Sequence, residues 1–120
     1  MIDYCVELNN SIDDKNMLII NIKLLEKETN ILFLENNVVV DINNTIIVNN
    51  FKNFIRDIEK NRDSYIVFPN IFLNVKFSYY NDFIIFKFSN EFNSLLFKIE
   101  ANDSIKNAFY HINDLFSKKI

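Results

Sequence analysis

The chain has 120 residues, of which 49% are hydrophobic and 15% aromatic, and its formal net charge at pH 7 is −3. This length suits one domain, and the apolar content is enough to build a packed core, which excludes a disordered chain. The mild acidity argues against a broad nucleic-acid-binding surface, because such surfaces are usually basic. We therefore expect a single domain over residues 1–120.

The sequence carries no signal for export or for membrane insertion. The start of the chain, Met1-Ile2-Asp3-Tyr4, lacks the basic and apolar regions of a signal peptide, and no apolar run approaches the length of a membrane span. The one cysteine, Cys5, cannot form a disulfide within the chain, so a reducing compartment is the default. We expect a cytoplasmic protein.

The first part of the chain predicts strands, because apolar and polar residues alternate. Asn36-Asn37 lies between two apolar runs and predicts a hairpin turn, since Asn tolerates positive φ better than other residues with a side chain. The predicted elements are a strand over 2–8, a polar loop over 9–16, a strand over 17–25, a turn over 27–30, strands over 31–35 and 38–42, and a strand end or extended lead-in over 45–48.

Two stretches have the spacing of amphipathic helices. Asn49-Asn50 can cap the first helix, which we expect to have about three turns and to end near Asn61. Asn102-Asp103-Ser104 can cap the second helix, which runs to the end of the chain. The apolar positions are Phe51, Phe54, Ile55 and Ile58 in the first helix, and Ile105, Ala108, Phe109, Ile112, Leu115 and Phe116 in the second.

Between the helices, a short strand over 65–68 ends at Pro69-Asn70, and three further strands each set a lysine between two apolar residues. Lys76, Lys87 and Lys98 therefore point away from an apolar sheet face. Turns at Asn81-Asp82 and at residues 90–93 join these strands into a meander. Both helices have one apolar stripe, so we predict an α+β fold: a two-layer sandwich with a largely antiparallel meander sheet and two helices on one face.

Two groups of residues are candidates for binding a partner protein. Lys76, Lys87 and Lys98, together with Lys23, could form a basic strip across the sheet, although outward lysines also keep an open sheet soluble. The predicted hairpin tip, Tyr79-Tyr80-Asn81-Asp82-Phe83, could be a binding loop, or its alternate aromatic residues could turn inward. The candidate residues are Tyr79, Tyr80, Asp82, Phe83, Lys76, Lys87 and Lys98, with Arg56 and Asp57 on the polar face of the first helix.

Catalytic and metal-binding patterns do not stand out. His111 is the only histidine, it has no partner that the sequence nominates, and we expect it on the surface. Acidic neighbours disfavour a reactive thiolate at Cys5, and Asp13-Asp14 has no matching ligand cluster. A glycine-rich phosphate loop is excluded because the chain has no glycine. We predict no catalytic residues, no metal and no cofactor.

The order of elements resembles that of small bacterial immunity proteins of the WapI type, which neutralise toxins delivered between competing cells. Three stretches carry the resemblance: paired strands over 17–41, residues 45–55 (Thr-Ile-Ile-Val-Asn-Asn-Phe-Lys-Asn-Phe-Ile) entering a helix, and Leu96-Phe97-Lys98-Ile99-Glu100 before Asn102-Asp103-Ser104-Ile105. The resemblance covers residues 17–118. It implies a protein that binds a toxin, and it implies no catalytic residues.

Three functions remain open at this point. The first is a non-enzymatic binding protein that neutralises a partner, as an immunity protein does. The second is an inhibitor from a phage or mobile element that blocks a bacterial defence system. The third is a nucleic-acid-binding module that uses the lysine face, with Phe72, Tyr80 and Phe83 as stacking platforms. An unpaired edge strand could also mediate a dimer.

Overall fold

A computed structural model describes residues 4–68 and 73–117, so the predicted Pro69-Asn70 turn and the Phe72 platform lie outside the described residues. The chain divides into two compact units, Met1–Asn44 and Thr45–Ile120. The expectation of a single domain over residues 1–120 stays a prediction. The elements are β1 (Tyr4–Ile12), β2 (Met17–Glu26), β3 (Leu32–Asp41), α1 (Thr45–Glu59), β4 (Ser64–Phe68), β5 (Asn74–Tyr80), β6 (Phe83–Ser89), β7 (Ser94–Glu100) and α2 (Asp103–Ser117).

The first unit is an antiparallel three-stranded sheet with β2 between β1 and β3. Leu18, Ile20 and Ile22 of β2 are fully buried, as the alternation predicted. Leu24 lies on the same side of β2 and is half-buried, whereas Leu25 on the other side is buried. At this point the pairing between β2 and β3 passes from Leu24–Leu34 to Leu25–Leu32, which is a bulge with one additional residue in β3.

The predicted hairpin at Asn36-Asn37 is wrong, because β3 runs through both residues as one strand. Neither residue has a positive φ, which the tight hairpin turn would need at both positions. Asn37 instead pairs with Asn21 of β2, and its Oδ1 accepts a hydrogen bond of 2.8 Å from Asn21 Nδ2. A cross-strand amide bond thus replaces the expected turn.

The predicted loop over 9–16 is also too long, because β1 continues to Ile12 and pairs with β2 along its whole length. The chain turns over residues 13–16. Asp13 stabilises this turn, because its Oδ1 accepts hydrogen bonds from the backbone N–H groups of Lys15 at 2.9 Å and Met17 at 3.0 Å. Polar residues 9–11 fit into β1 because it is an edge strand with partly exposed side chains.

Turns in the chain rely on Asn, as expected for a sequence without glycine. Asn81 and Asp82 both have positive φ, which is the geometry of the predicted two-residue turn between β5 and β6. The described residues with positive φ are Asn16, Asn30, Asn61, Asn81 and Asp82.

The second unit contains α1, α2 and an antiparallel four-stranded sheet in the order β4-β5-β6-β7. The predicted strand or lead-in over 45–48 is wrong, because α1 begins at Thr45. Val48 is three residues before Phe51 and extends the buried stripe of the helix by one turn. In α2 the predicted cap is confirmed: Asn102 Oδ1 accepts a hydrogen bond of 3.0 Å from the N–H of Ile105.

Both helices pack on the same face of the four-stranded sheet. The ring centroids of Phe51 in α1 and Phe68 in β4 are 5.5 Å apart, and those of Phe109 in α2 and Phe77 in β5 are 5.9 Å apart. Phe54 joins the helices, 5.7 Å from Phe109. The α+β class, the antiparallel pairing and the helices on one face are therefore confirmed, but the strands form two sheets rather than one meander.

Candidate functional site

The face of the four-stranded sheet that is turned away from the helices carries the predicted lysines. Val75, Phe77 and Tyr79 of β5 are buried on the helix side, so Lys76, Ser78 and Tyr80 lie on the other side. We call this second side the open face. Its principal side chains are Tyr65, Val67, Lys76, Ser78, Tyr80, Phe83, Ile85, Lys87, Leu96 and Lys98.

The open face is more apolar than the lysines alone suggested. Tyr65 is 65% exposed, Tyr80 58% and Leu96 57%, and Val67 is also exposed. Scattered exposed apolar residues are ordinary, whereas several on one sheet face mark a surface that can bind another molecule. The candidate residues chosen from the sequence did not include Tyr65, Val67 and Leu96. Alternation could have identified them, because their neighbours in β4 and β7 point to the helix side of the sheet.

Two of the three lysines on the open face lie over aromatic rings. Lys76 Nζ is 4.6 Å from the ring centroid of Tyr65, and Lys98 Nζ is 4.1 Å from that of Phe83. Both pairs are diagonal neighbours on adjacent strands, which is within reach of long side chains. A cation over a ring is attracted by its negative face, so these lysines are partly held in position.

The lysines do not form the four-residue strip that the sequence suggested. Lys76 and Lys87 are directly opposite each other on β5 and β6, whereas Lys98 is opposite Ile85. Lys23 belongs to the other sheet, on β2, where its Nζ is 3.7 Å from Glu35 Oε2. The basic part of the open face therefore consists of three lysines.

A polar pocket lies at the hairpin between β5 and β6, at the edge of the open face. It has a volume of about 480 Å³. Tyr80 belongs to both the pocket and the open face. Two carboxylates in its lining give it an acidic character, in contrast to the lysines nearby on the sheet. We call it the tip pocket, and it is lined by Asn61, Asp63, Tyr79, Tyr80, Asn81 and Asp82.

Tyr79 closes the base of the tip pocket. Its side chain is only 2% exposed, and its hydroxyl oxygen is 2.8 Å from Asp82 Oδ1 and 3.0 Å from Asn61 Oδ1. A phenol has one proton, and the carboxylate takes it because a charged acceptor forms the stronger bond. Asn61 Oδ1 is a second acceptor within hydrogen-bond distance of the same hydroxyl.

Burial, and after it the hydrogen bond to Asp82, together raise the pKa of Tyr79 from 10.0 to about 12. Both effects favour the neutral phenol, because the charged form would lose solvation and face a carboxylate. Tyr79 is thus a structural support for the hairpin rather than an ionised group at neutral pH. Of the two alternatives for the hairpin tip, Tyr79 turns inward while Tyr80 remains exposed.

The two candidates on α1 are not brought to the open face. Arg56 is exposed on α1, and Asp57 is half-buried with its Oδ1 3.7 Å from Arg62 Nε. Since α1 packs on the helix side of the sheet, these residues are separated from the open face by the sheet itself. Phe83 is half-buried beneath Lys98.

The histidine and the cysteine of the sequence belong to different units of the chain. His111 is exposed, as expected, and Cys5 is half-buried on β1. Within residues 4–68 and 73–117, no three His, Cys, Asp or Glu side chains come together as they would around a metal ion. Neither of the helices described in those ranges has the length and apolar character of a membrane span. Comparison with protein-family models, curated proteins and solved structures gives no match.

Proposed function

We propose that this chain is a non-enzymatic binding protein that neutralises a partner protein, and specifically an immunity protein against a bacterial toxin. The observation that carries the proposal is the open face, an exposed sheet surface on which aromatic and aliphatic side chains alternate with lysines. The element order resembles that of immunity proteins of the WapI type, and this resemblance is the reason for proposing an immunity protein in particular.

The side chains of the open face suit recognition of a protein. Tyr65 and Tyr80 offer large contact areas with few rotatable bonds, and tyrosine is enriched where binding energy is concentrated. Lys76 is already held over Tyr65, so less side-chain freedom is lost when a partner covers both residues. This preorganisation favours a tight and specific contact.

The charges on the second unit set the chemistry of the partner surface. Lys76, Lys87 and Lys98 would face acidic groups, while the tip pocket with Asp63 and Asp82 would receive a basic side chain. Complementary charges of this kind select the partner and speed its association more than they add to affinity. We therefore expect a partner with both an acidic patch and a neighbouring lysine or arginine.

The mechanism is occlusion, with no bond made or broken by this chain. A four-stranded sheet backed by two helices presents the open face on a rigid support. A toxin whose substrate-binding surface is covered by this face cannot admit its substrate. Binding alone is sufficient for neutralisation, so affinity and coverage of the active surface determine the effect.

The test is capture of the partner from a lysate of the source organism with three tagged forms of the chain. The wild type and Ile46→Thr should retain one stoichiometric protein, because Ile46 is an exposed apolar residue on α1, away from the open face. The double variant Tyr65→Thr/Tyr80→Thr should lose it, while threonine keeps the strand propensity. Equal capture by all three forms would remove the open face from the proposal.

The identity of the captured protein separates the immunity protein from its nearest rival. A toxin whose effect on growth is relieved when this chain is co-expressed supports the immunity protein. A component of a bacterial defence system would favour an inhibitor carried by a phage or mobile element. The neighbouring genes give an independent answer, because a toxin gene or phage genes would lie beside this one.

A nucleic-acid-binding module is the second candidate, and the direct pairing of Lys76 with Lys87 favours it. Exposed aromatic residues such as Tyr80 could stack on bases. Against it, the net charge is −3, and Lys76 and Lys98 are engaged with rings. A gel shift at low salt that fades steeply with added salt would support this candidate, and no shift would remove it.

A further inference from the structure

The edge of the four-stranded sheet at β7 carries exposed apolar residues on both faces. Among the strands in the described parts of the chain, β7 pairs only with β6. Leu95 and Leu96 point to opposite faces and both are exposed, and Phe92 in the preceding turn is 85% exposed. An exposed apolar edge strand is a template on which another strand can pair.

The backbone groups that face outward from β7 follow from the hydrogen bonds at its two ends. The N–H of Asn90 donates to Asn93 O at 2.9 Å, and the N–H of Ala101 donates to Asp82 O at 2.8 Å. Hydrogen-bonded pairs alternate along an antiparallel ladder, so Leu95, Phe97 and Ile99 bond to β6. The even-numbered residues of β7 therefore turn their N–H and C=O groups outward: Ser94, Leu96, Lys98 and Glu100.

This edge lacks the protection that the β4 and β3 edges have. Lysines commonly guard an edge, but Lys98, the one lysine of β7, holds its ammonium over Phe83 on the neighbouring strand. The opposite edge, β4, has only five residues and is followed by Pro69. The β3 edge is interrupted by the polar sequence Glu35-Asn36-Asn37.

We propose that β7 pairs antiparallel with β7 of a second copy of this chain, joining two four-stranded sheets into one. Centring the pair on Phe97 overlaps the strand with itself over its full length, Ser94–Glu100. In this register Ser94 faces Glu100 of the second copy, and Leu96 faces Lys98. The even-numbered residues then make four pairs. Leu96 and Lys98 exchange two hydrogen bonds in each of their two pairs, whereas the Glu100 carbonyl already accepts a bond of 2.9 Å from the N–H of Asn102, so each Ser94–Glu100 pair adds one and the total is about six bonds.

The side chains are compatible with this register. Leu95 faces Ile99 of the second copy, and Leu96 lies against the aliphatic part of Lys98, so the two exposed leucines are covered. No two like charges are directly opposite. The ring of Phe97 leans toward β6, with its centroid 5.2 Å from that of Phe86 and 5.8 Å from that of Phe88, which leaves room at the two-fold axis.

Other registers that keep the two faces of the sheet continuous are less favourable. Shifting the centre to Lys98 would place Lys98 opposite itself and leave Ser94 and Leu95 without partners. Shifting it to Leu96 would leave Ile99 and Glu100 unpaired. Pairing about a two-fold axis uses the same surface on both copies, so the assembly stops at a dimer. A contact limited to one strand and one turn is small, so we expect dissociation in the micromolar range.

The proposal does not depend on the proposed function, and it is tested by sedimentation equilibrium of the full chain from about 1 to about 500 µM. The wild type should show a monomer–dimer equilibrium. Leu96→Lys should raise the dissociation constant by about tenfold or more, because each dimer would contain two lysine–lysine pairs. Leu96→Glu removes the same apolar side chain but faces Lys98 with an opposite charge, so its dissociation constant should be lower than that of Leu96→Lys by about tenfold or more.

Reciprocal rescue separates self-pairing from any other use of the edge. Combining Leu96→Lys with Lys98→Glu places opposite charges at both facing positions and should restore the dimer. Leu96 is already 57% exposed, so these variants should fold, and circular dichroism of each provides the check. A wild type that stays monomeric at the highest concentration would overturn the proposal. Equal effects of the lysine and glutamate variants would also overturn it, since only the sign of the charge differs.

Discussion

Replacing Tyr79 with phenylalanine should weaken the β5–β6 hairpin without disturbing the core. The ring remains buried, and the loss is confined to the hydroxyl that lies 2.8 Å from Asp82 Oδ1 and 3.0 Å from Asn61 Oδ1. A hydrogen bond to a charged group contributes about 1.5–3 kcal/mol when buried. Asp82 and Asn61 are both exposed and can bond to water instead, so we expect Tyr79→Phe to lower the free energy of unfolding by about 1–2 kcal/mol.

Urea denaturation followed by circular dichroism measures this change. The slope of the transition should stay the same, because the surface exposed on unfolding does not change. Tyr80→Phe is the matched control: Tyr80 is exposed, so its change should stay within about 0.5 kcal/mol. Asp82→Asn keeps the oxygen acceptor and tolerates the positive φ of 67°, so it should give part of the Tyr79→Phe effect. A stability loss in Tyr80→Phe as large as in Tyr79→Phe would refute the reasoning.

The same residue gives a prediction at high pH. The pKa of Tyr79 is raised from 10.0 to about 12 in the folded chain, so above pH 10 the unfolded chain loses this proton first. The unfolded state then binds fewer protons than the folded state, and the stabilisation by Tyr79 falls as pH rises from about 10 to about 12. The stability difference between the wild type and Tyr79→Phe should therefore be constant below pH 10 and shrink above it.

Two further substitutions test the packing of the second unit. Phe109→Ala should cost about 3–5 kcal/mol of stability in urea denaturation, because the ring of Phe109 is fully buried against Phe51, Phe54 and Phe77; a loss below about 1 kcal/mol would contradict this packing. Asn102→Ala should cost about 1 kcal/mol by removing the cap of α2, whereas Asn102→Ser should retain most of it. Equal stability of the two Asn102 variants would show that the cap is unimportant.

The second unit was largely predictable because its strands alternate cleanly. A lysine between two apolar residues fixed the two faces of β5, β6 and β7, and Asn81-Asp82 marked the turn between β5 and β6. The start of α1 was missed because β-branched residues at 45–48 favour strands by propensity. In the structure they continue the helical stripe through Val48, and burial of that stripe outweighs the local preference.

The first unit was harder to predict because local and long-range signals conflict there. Asn36-Asn37 looks like a turn in isolation, yet both residues pair with β2, and Asn37 bonds to Asn21 across the strands. The bulge at Leu24/Leu25 has no local signature, since an uninterrupted apolar run is compatible with either register. The tip pocket could not be predicted either, because Asn61 and Asp63 are distant from the β5–β6 hairpin in sequence and lie next to it only in the folded chain.

The most direct test of the central claim is the affinity of the captured partner for purified variants, measured by isothermal titration calorimetry. If the open face is the binding surface, Tyr65→Thr/Tyr80→Thr should raise the dissociation constant by about 30-fold or more, since each buried tyrosine contributes about 1–2 kcal/mol or more. Ile46→Thr should bind as the wild type does. A double variant that folds and binds with the wild-type dissociation constant would contradict the account.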